Sequence, residues 1–320
     1  ATQIVFGGSR CCGAGDLGMR VGISVNSAYR VDDPRQGVRY MVERARAARQ
    51  ADLDSLFVGD HHVTHQPYYQ NTPMLGRMLA EWHSKPIGAL YLLPLWNPVL
   101  LAEQIATLAA IAPGRFIMQC GLGWEPAQSA GIGVDMTQRA AMFEASLDLM
   151  QKLWAGEMVS EARFWNIENA RISPLPAQKV EVWVGAGAPA ALNRTARMAD
   201  GWLASPSLDH AAATQQLNQY RQSCAEFGRS PTTVAIRRDI FIAGHAATAQ
   251  SFKRRMVSKG YRGFAEDAML AGTPEMVAAE FAALAELGFT DVIVRNMSSD
   301  QGEALATIEG LAEVKRILGL

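Results

Sequence analysis

Cysteine is scarce in this chain, and no CxxC occurs: the four residues stand at positions 11, 12, 120 and 224 of 320. That spacing excludes a zinc ribbon or finger, and adjacent Cys11 and Cys12 suit neither a metal nor a disulfide. So sparse a set fits a reducing cytoplasm. Long apolar runs are missing too: none approaches the ~18 residues needed to cross a bilayer, so no membrane partner is expected. Excess charge is missing, with a formal net charge of −1, which removes the electrostatic basis for a nucleic-acid partner. The one dense basic stretch, 39–49, has helical spacing and reads as a solvated helix face. No GxxxxGK[ST] occurs, so ATP chemistry is not indicated. The opening residues, 1–18, are rich in Gly and small polar types and lack the apolar segment of a signal peptide. They are expected to form a loose N-terminal extension, with Met19 a natural start.

What is present is apolar material in a regular rhythm. Residues of the hydrophobic class make up 49% of the chain, enough for a sizeable core. Short apolar strands are expected at 20–25, 56–59, 87–93, 116–121, 182–185, 201–204, 234–243 and 291–295. Helical periodicity is expected at 34–51, 98–112, 137–154, 188–198, 210–227, 246–258, 274–287 and 303–318. Eight short apolar strands interspersed with eight helices suit a parallel sheet closed into a (β/α)8 TIM barrel over residues 19–320, a single α/β domain. A doubly wound sheet would favour a Gly-rich turn after the first strand, and Asn26-Ser27-Ala28-Tyr29 has none. Two segments break the rhythm: 155–180, expected as an excursion on the barrel rim, and 260–272, a loop-like candidate lid.

Barrel chemistry gathers where strands end. Histidine is also scarce, yet three of the six histidines fall in the stretch FVGDHHVTH, at 61, 62 and 65. Adjacent side chains on an extended segment point apart, so His61 and His62 are poorly placed to share a metal. A barrel-mouth histidine held by Asp60 or another carboxylate, and used as acid, base or hydrogen-bond donor, is one reading; a solvated loop is another. In VGAGAPAA, a strand leads through Gly185, Ala186, Gly187 and Ala188 into a helix. Its bare amides could receive an anion, with Ser205 and Ser207 at the next strand end, and tight packing would explain the same glycines. Tyr68, Tyr69, Trp96 and Trp124 fall on mouth loops and could wall a pocket for a flat, largely apolar ligand. In IGALYLLP, the small residues at 88 and 89 would leave room for a planar ring.

Taken in order, MRVGISVN, DSLFVGDHH, IGALYLLPLWNPVLLAEQIATL, GRFIMQCGLGWEPAQSAGIGVD, RAAMFEASLDLMQKLWAG and VEVWVGAGAPAALNRTARMADGW resemble the bacterial luciferase-like family of flavin- and deazaflavin-dependent oxidoreductases. The resemblance implies the same barrel, with an inserted segment near the seventh strand at about 260–272. It implies reduced FMN used with oxygen or, as the alternative, coenzyme F420 used for hydride transfer. It places the ring over the mouth, supported by a non-prolyl cis peptide at Ala89-Leu90, with the phosphate at Gly185 to Ala188 and Ser205. It makes His61 the reactive histidine, with Asp60 beside it, and leaves His62, Tyr68, Trp96 and Trp124 for the substrate.

Departures are visible. Where luciferase carries a reactive cysteine and a phosphate-binding arginine after the fourth strand, this chain has Gly121 and Leu122. Cys120 is one residue off and on the other face. The expectation is a two-component monooxygenase acting on an apolar organic substrate, with a separate flavin reductase supplying reduced FMN and a homodimer implied by the resemblance. The F420-dependent hydride-transfer enzyme is the alternative. A metal-dependent barrel hydrolase using His61, His62 and His65, and a non-catalytic flavin-binding subunit, stand behind these.

Overall fold

The computed structural model describes residues 18–320, so the extension expected at 1–18 lies, except for Gly18, outside the described residues. The strands are β1 (Arg20–Val25), β2 (Ser55–Val58), β3 (Ile87–Leu92), β4 (Phe116–Gly121), β5 (Val159–Glu161), β6 (Ile167–Ala170), β7 (Glu181–Gly185), β8 (Gly201–Ala204), β9 (Thr233–Ile242), β10 (Met269–Gly272) and β11 (Asp291–Asn296). The helices are α1 (Pro34–Gln50), α2 (Asn71–Met78), α3 (Pro98–Ile111), α4 (Pro126–Ile132), α5 (Arg139–Trp154), α6 (Pro189–Met198), α7 (His210–Glu226), α8 (Ala246–Ser258), α9 (Pro274–Leu287) and α10 (Gln301–Leu318). Among the described residues no helix is long and apolar enough to cross a membrane.

Parallel pairing runs β9-β11-β1-β2-β3-β4-β7-β8, and β8 returns to β9, so eight strands close a (β/α)8 barrel. Side chains alternate across it. Phe57, Ile117, Trp183, Leu203, Ala235 and Ile293 form one cluster from strands alone, inside the barrel. The opposite faces, such as Ile87, Ala89 and Tyr91 on β3, join the larger core shared with the helices. Helix starts follow local chemistry: Asp33, Asn97, Asp209 and Asp300 each accept a backbone N–H in the first turn of α1, α3, α7 and α10.

Both irregular segments take definite form. Within 155–180, β5 and β6 pair as an antiparallel hairpin separate from the barrel sheet. Within 260–272, only the first part is irregular: short 3-10 turns at Tyr261–Gly263 and Glu266–Ala268 lead into β10. This strand pairs with Asp239 to Ile242 of β9, and Met269–Gly272 is therefore strand rather than loop. β9 is long enough for two neighbours on one edge, because β8 reaches only as far as Ile236.

Two expectations for β3 are corrected. A Cβ on Gly88 would collide with the Ile117 carbonyl oxygen; the glycine lets β3 and β4 approach, and the space beside it is filled by the β4 backbone. Among the described residues the one cis peptide is Ser173-Pro174, so Ala89-Leu90 is trans. β3 pairs with β4 in unbroken register from Ile87 to Leu92, with no bulge.

Candidate active site

Beyond the C-terminal ends of the strands lies a cavity of about 1680 Å³. Asn26 after β1, His61 after β2, Ser205 after β8 and Arg295 at the end of β11 all line it. Alternation continues past β2: Phe57 faces the barrel interior and His61, four residues on, faces the cavity, whereas Asp60 and His62 turn to the other side.

His61 Nδ1 lies 2.7 Å from Gln128 Nε2. The same amide accepts from the His62 backbone N–H through Oε1 at 2.9 Å. A backbone N–H can only donate, so Oε1 must face His62 and the NH2 must face His61. Nδ1 is therefore the acceptor, and neutral His61 carries its proton on Nε2. Among the described residues Nε2 has no hydrogen-bond partner, and the ring lines the cavity. Tyr68 packs edge-on against the imidazole with centroids 5.4 Å apart. Burial lowers the His61 pKa and pushes the Tyr68 phenol up to about 12, so near neutrality both present a donor hydrogen. A depressed histidine pKa means that the unfolded chain takes up the proton first as pH falls below about 6.5. The stability of the protein relative to a His61→Asn variant should thus decline between pH 7 and pH 5. Urea unfolding at the two pH values checks this, and a constant difference would contradict it.

Asp60 does not hold His61. Only 1% exposed, it accepts from the Leu92 N–H at 2.8 Å, the Trp96 indole N–H at 2.9 Å and the Asn71 amide at 3.3 Å. His62 Nε2 stands 3.1 Å from Oδ1, the oxygen that Asn71 also reaches. The expected hold of Asp60 on His61 is corrected: His61 is positioned by a neutral amide from α4, and Asp60 ties β3, the turn after it and α2 together. His62 and Trp96 pack edge-on at 5.3 Å around Asp60 and do not line the cavity; neither does Tyr68. Trp124 lines the rim, 73% exposed. His65 is exposed, and no group of three or more His, Cys, Asp or Glu among the described residues is arranged to hold a metal.

The remaining expected residues divide. Ser205 lines the cavity, and its hydroxyl meets that of Ser207 at 2.9 Å. Gly185, Ala186, Gly187 and Ala188 lead from the neighbouring strand β7 into α6. Ala188 is the N-cap and makes no side-chain capping bond; Pro189 has no N–H, and the Ala191 and Leu192 N–H groups donate to the Ala188 carbonyl, which leaves the Ala190 N–H as the donor this turn offers an anion. Ala89 is 0% exposed, packed on the helix side of β3, and cannot touch a ligand with its side chain. Leu90 is on the inner face, its carbonyl taken by Asn71 at 2.7 Å.

The wall itself departs from the apolar pocket expected of the loop aromatics. Arg30, Arg44, Arg255, Lys259, Arg262 and Arg295 line it, against Asp32, Asp300 and Glu303. Over one side, Tyr261 and Arg262 reach down to Asp239 of β9, at 2.8 and 2.7 Å. Burial opposes ionisation of Asp239, but Arg237, Arg295 and Arg262 together hold its pKa below the usual carboxylate value. Gln128 and Asp239 were not singled out by sequence reasoning, and Arg44, expected with the rest of 39–49 on a solvated helix face, is instead buried against the cavity. A neutral amide and two residues inside regular elements carry no local signal of a site.

The luciferase-like monooxygenase profile matches residues 19–261. An F420-dependent glucose-6-phosphate dehydrogenase of Microbacterium testaceum is 27% identical over 208 residues, which are 61% of this chain and 61% of that relative; the chain thus spans about three fifths of that protein. Among solved structures, the monooxygenase RslO1 of Streptomyces bottropensis superposes with a TM-score of 0.82 at 20% identity, covering 94% of this chain and 100% of that one. An F420-dependent secondary alcohol dehydrogenase, in complex with an F420-acetone adduct, gives 0.77 at 17% identity, covering 92% of this chain and 99% of that one. Likeness at these identities speaks for the fold alone.

Proposed function

Since the chain belongs to the luciferase-like monooxygenase family, we propose that it is an oxidoreductase that exchanges hydride between coenzyme F420 and an oxygen-bearing carbon of a small organic substrate. The observation that carries this reading is the neutral His61 whose one N–H is turned to a polar, cationic cavity by Gln128. That group suits hydrogen bonding to a carbonyl or hydroxyl oxygen while hydride moves at the adjoining carbon. The curated relative named above supports F420 over FMN, as does the absence of arginine at Gly121 and Leu122.

The residues present fit such a cofactor. The Ala190 N–H at the start of α6, with Gly185 and Gly187 before it and the Ser205 and Ser207 hydroxyls at the next strand end, would hold its phosphate. The cavity, about 1680 Å³, exceeds the few hundred to ~1,000 Å³ of common ligand sites, leaving space for a ring and a substrate together. When bound, F420 would supply the hydride acceptor or donor. The chain's own part is to anchor it at α6, to orient the substrate oxygen at His61 Nε2, and to cover the site with Tyr261 and Arg262.

The competing reading is a reduced-FMN monooxygenase, whose mark is substrate-dependent oxygen consumption. Fluorescence titration of the protein with F420 and, separately, with FMN decides between them. F420 is expected to bind at least about tenfold more tightly, a difference of ~1.4 kcal/mol. Tighter binding of FMN, with oxygen uptake, would overturn the proposal.

A further inference from the structure

The cavity has a second polar wall, away from the His61 partners, where α1 meets the start of α10. Arg44 of α1 is 1% exposed yet lines the cavity. Its Nε donates to Gln301 Oε1 at 2.9 Å. The orientation of that amide is set, because Gln301 Nε2 donates to Glu43 Oε2 at 2.9 Å. The guanidinium lies over the Tyr29 ring, 5.1 Å from its centroid. Nη1 and Nη2, however, have no hydrogen-bond partner, and neither does the Tyr29 hydroxyl, which is also buried and also on the cavity wall.

The nearby acids are committed elsewhere. Glu43 receives Gln301, and Asp300 caps α10 by accepting from the Glu303 N–H at 2.8 Å. A buried guanidinium with no counter-charge and two idle donors is unfavourable. Burial already lowers its pKa, and the Tyr29 phenol, pushed up to about 12, stays a donor. Planar, paired Nη donors match the two oxygens of a carboxylate or phosphate.

We propose that Arg44 and Tyr29 form a seat for a carboxylate or phosphate group of a ligand that occupies the His61 cavity. This rests on the reading of that cavity as the active site and adds a substrate class, an organic oxyanion. It does not depend on which cofactor the chain uses.

The test is thermal melting of the protein without cofactor, in sodium phosphate or sodium malonate against sodium chloride of equal ionic strength. The native chain should show a saturable rise in Tm with the oxyanions. Arg44→Met keeps the length of the stem and should bind them at least tenfold more weakly, while melting in chloride at or above the native temperature. A merely structural arginine would instead lower Tm in chloride. Arg44→Lys and Tyr29→Phe should each retain part of the response, and they carry the test if Arg44→Met fails to fold. An equal response in native protein and Arg44→Met, or no saturable response in the native protein, would overturn the proposal.

Titration with F420 then separates the sources of the anion. Equal affinity of the native and Arg44→Met proteins assigns the seat to the substrate; a tenfold loss assigns it to an acidic group of the cofactor. If neither F420 nor FMN binds, the cofactor reading fails while an Arg44-dependent oxyanion response still stands.

Discussion

Replacement of His61 by alanine is expected to lower turnover by about 10²–10⁴-fold, the usual contribution of a positioned proton donor or acceptor, while cofactor affinity changes little. The reasoning is local. His61 lines the cavity, and its Nδ1 is occupied by Gln128 at 2.7 Å. The one free N–H is thus delivered to the substrate side without any rearrangement. Alanine removes that donor but leaves the α6 amides, Ser205 and the Asp60 network intact. The variant should therefore raise the barrier without loosening the anchor. Steady-state kinetics with F420, alongside the binding titration, separates the two effects. A His61→Ala protein that turns over within a few-fold of the native rate would remove the imidazole from the mechanism.

Asp60→Ala is expected to act mainly on the fold, costing about 3 kcal/mol or more. The carboxylate is buried and receives the Leu92 N–H, the Trp96 indole N–H and the Asn71 amide. Each orphaned buried donor costs ~1–3 kcal/mol. The three donors come from the end of β3, the turn after it and the start of α2, so their release loosens the platform that carries His61 and His62. Asp60→Asn keeps the shape but sets an NH2 against a donor, and it should fall between native and alanine. Urea unfolding measures both variants. A loss below about 1 kcal/mol for Asp60→Ala would show that water replaces the carboxylate without penalty.

The two variants also show which parts of the site were legible in the sequence. All eight barrel strands stand out as short apolar runs because both faces of such strands are covered. The separation of His61 from His62 follows from extended geometry alone, and the structure sends them to Gln128 and to Asp60 respectively. The partners were not legible. Those of Asp60 lie on segments brought near by barrel closure, up to 36 residues away. α2 and α4 were missed because each is short and contains proline and glycine, Pro73 and Gly76 in one and Pro126 and Gly131 in the other, which hides helical periodicity. Gly88 invited a functional reading, but only the neighbouring backbone of Ile117 shows why a side chain is barred. The loop aromatics misled for a related reason: Trp96 spends its indole on Asp60 and Tyr68 lies against His61, which leaves the wall to arginines from α1, α8 and β11.

The grip of Tyr261 and Arg262 on Asp239 has one more consequence. Both tethers end on a single oxygen of an anion at 0% exposure, so loss of that one charge would weaken both. Asp239 stays ionised well into acid, and its enclosure limits screening by dissolved ions. Neither mild acidity nor physiological salt is therefore a trigger for uncovering that flank of the barrel mouth. An incoming molecule with a negative charge of its own would compete with Asp239 for Arg262.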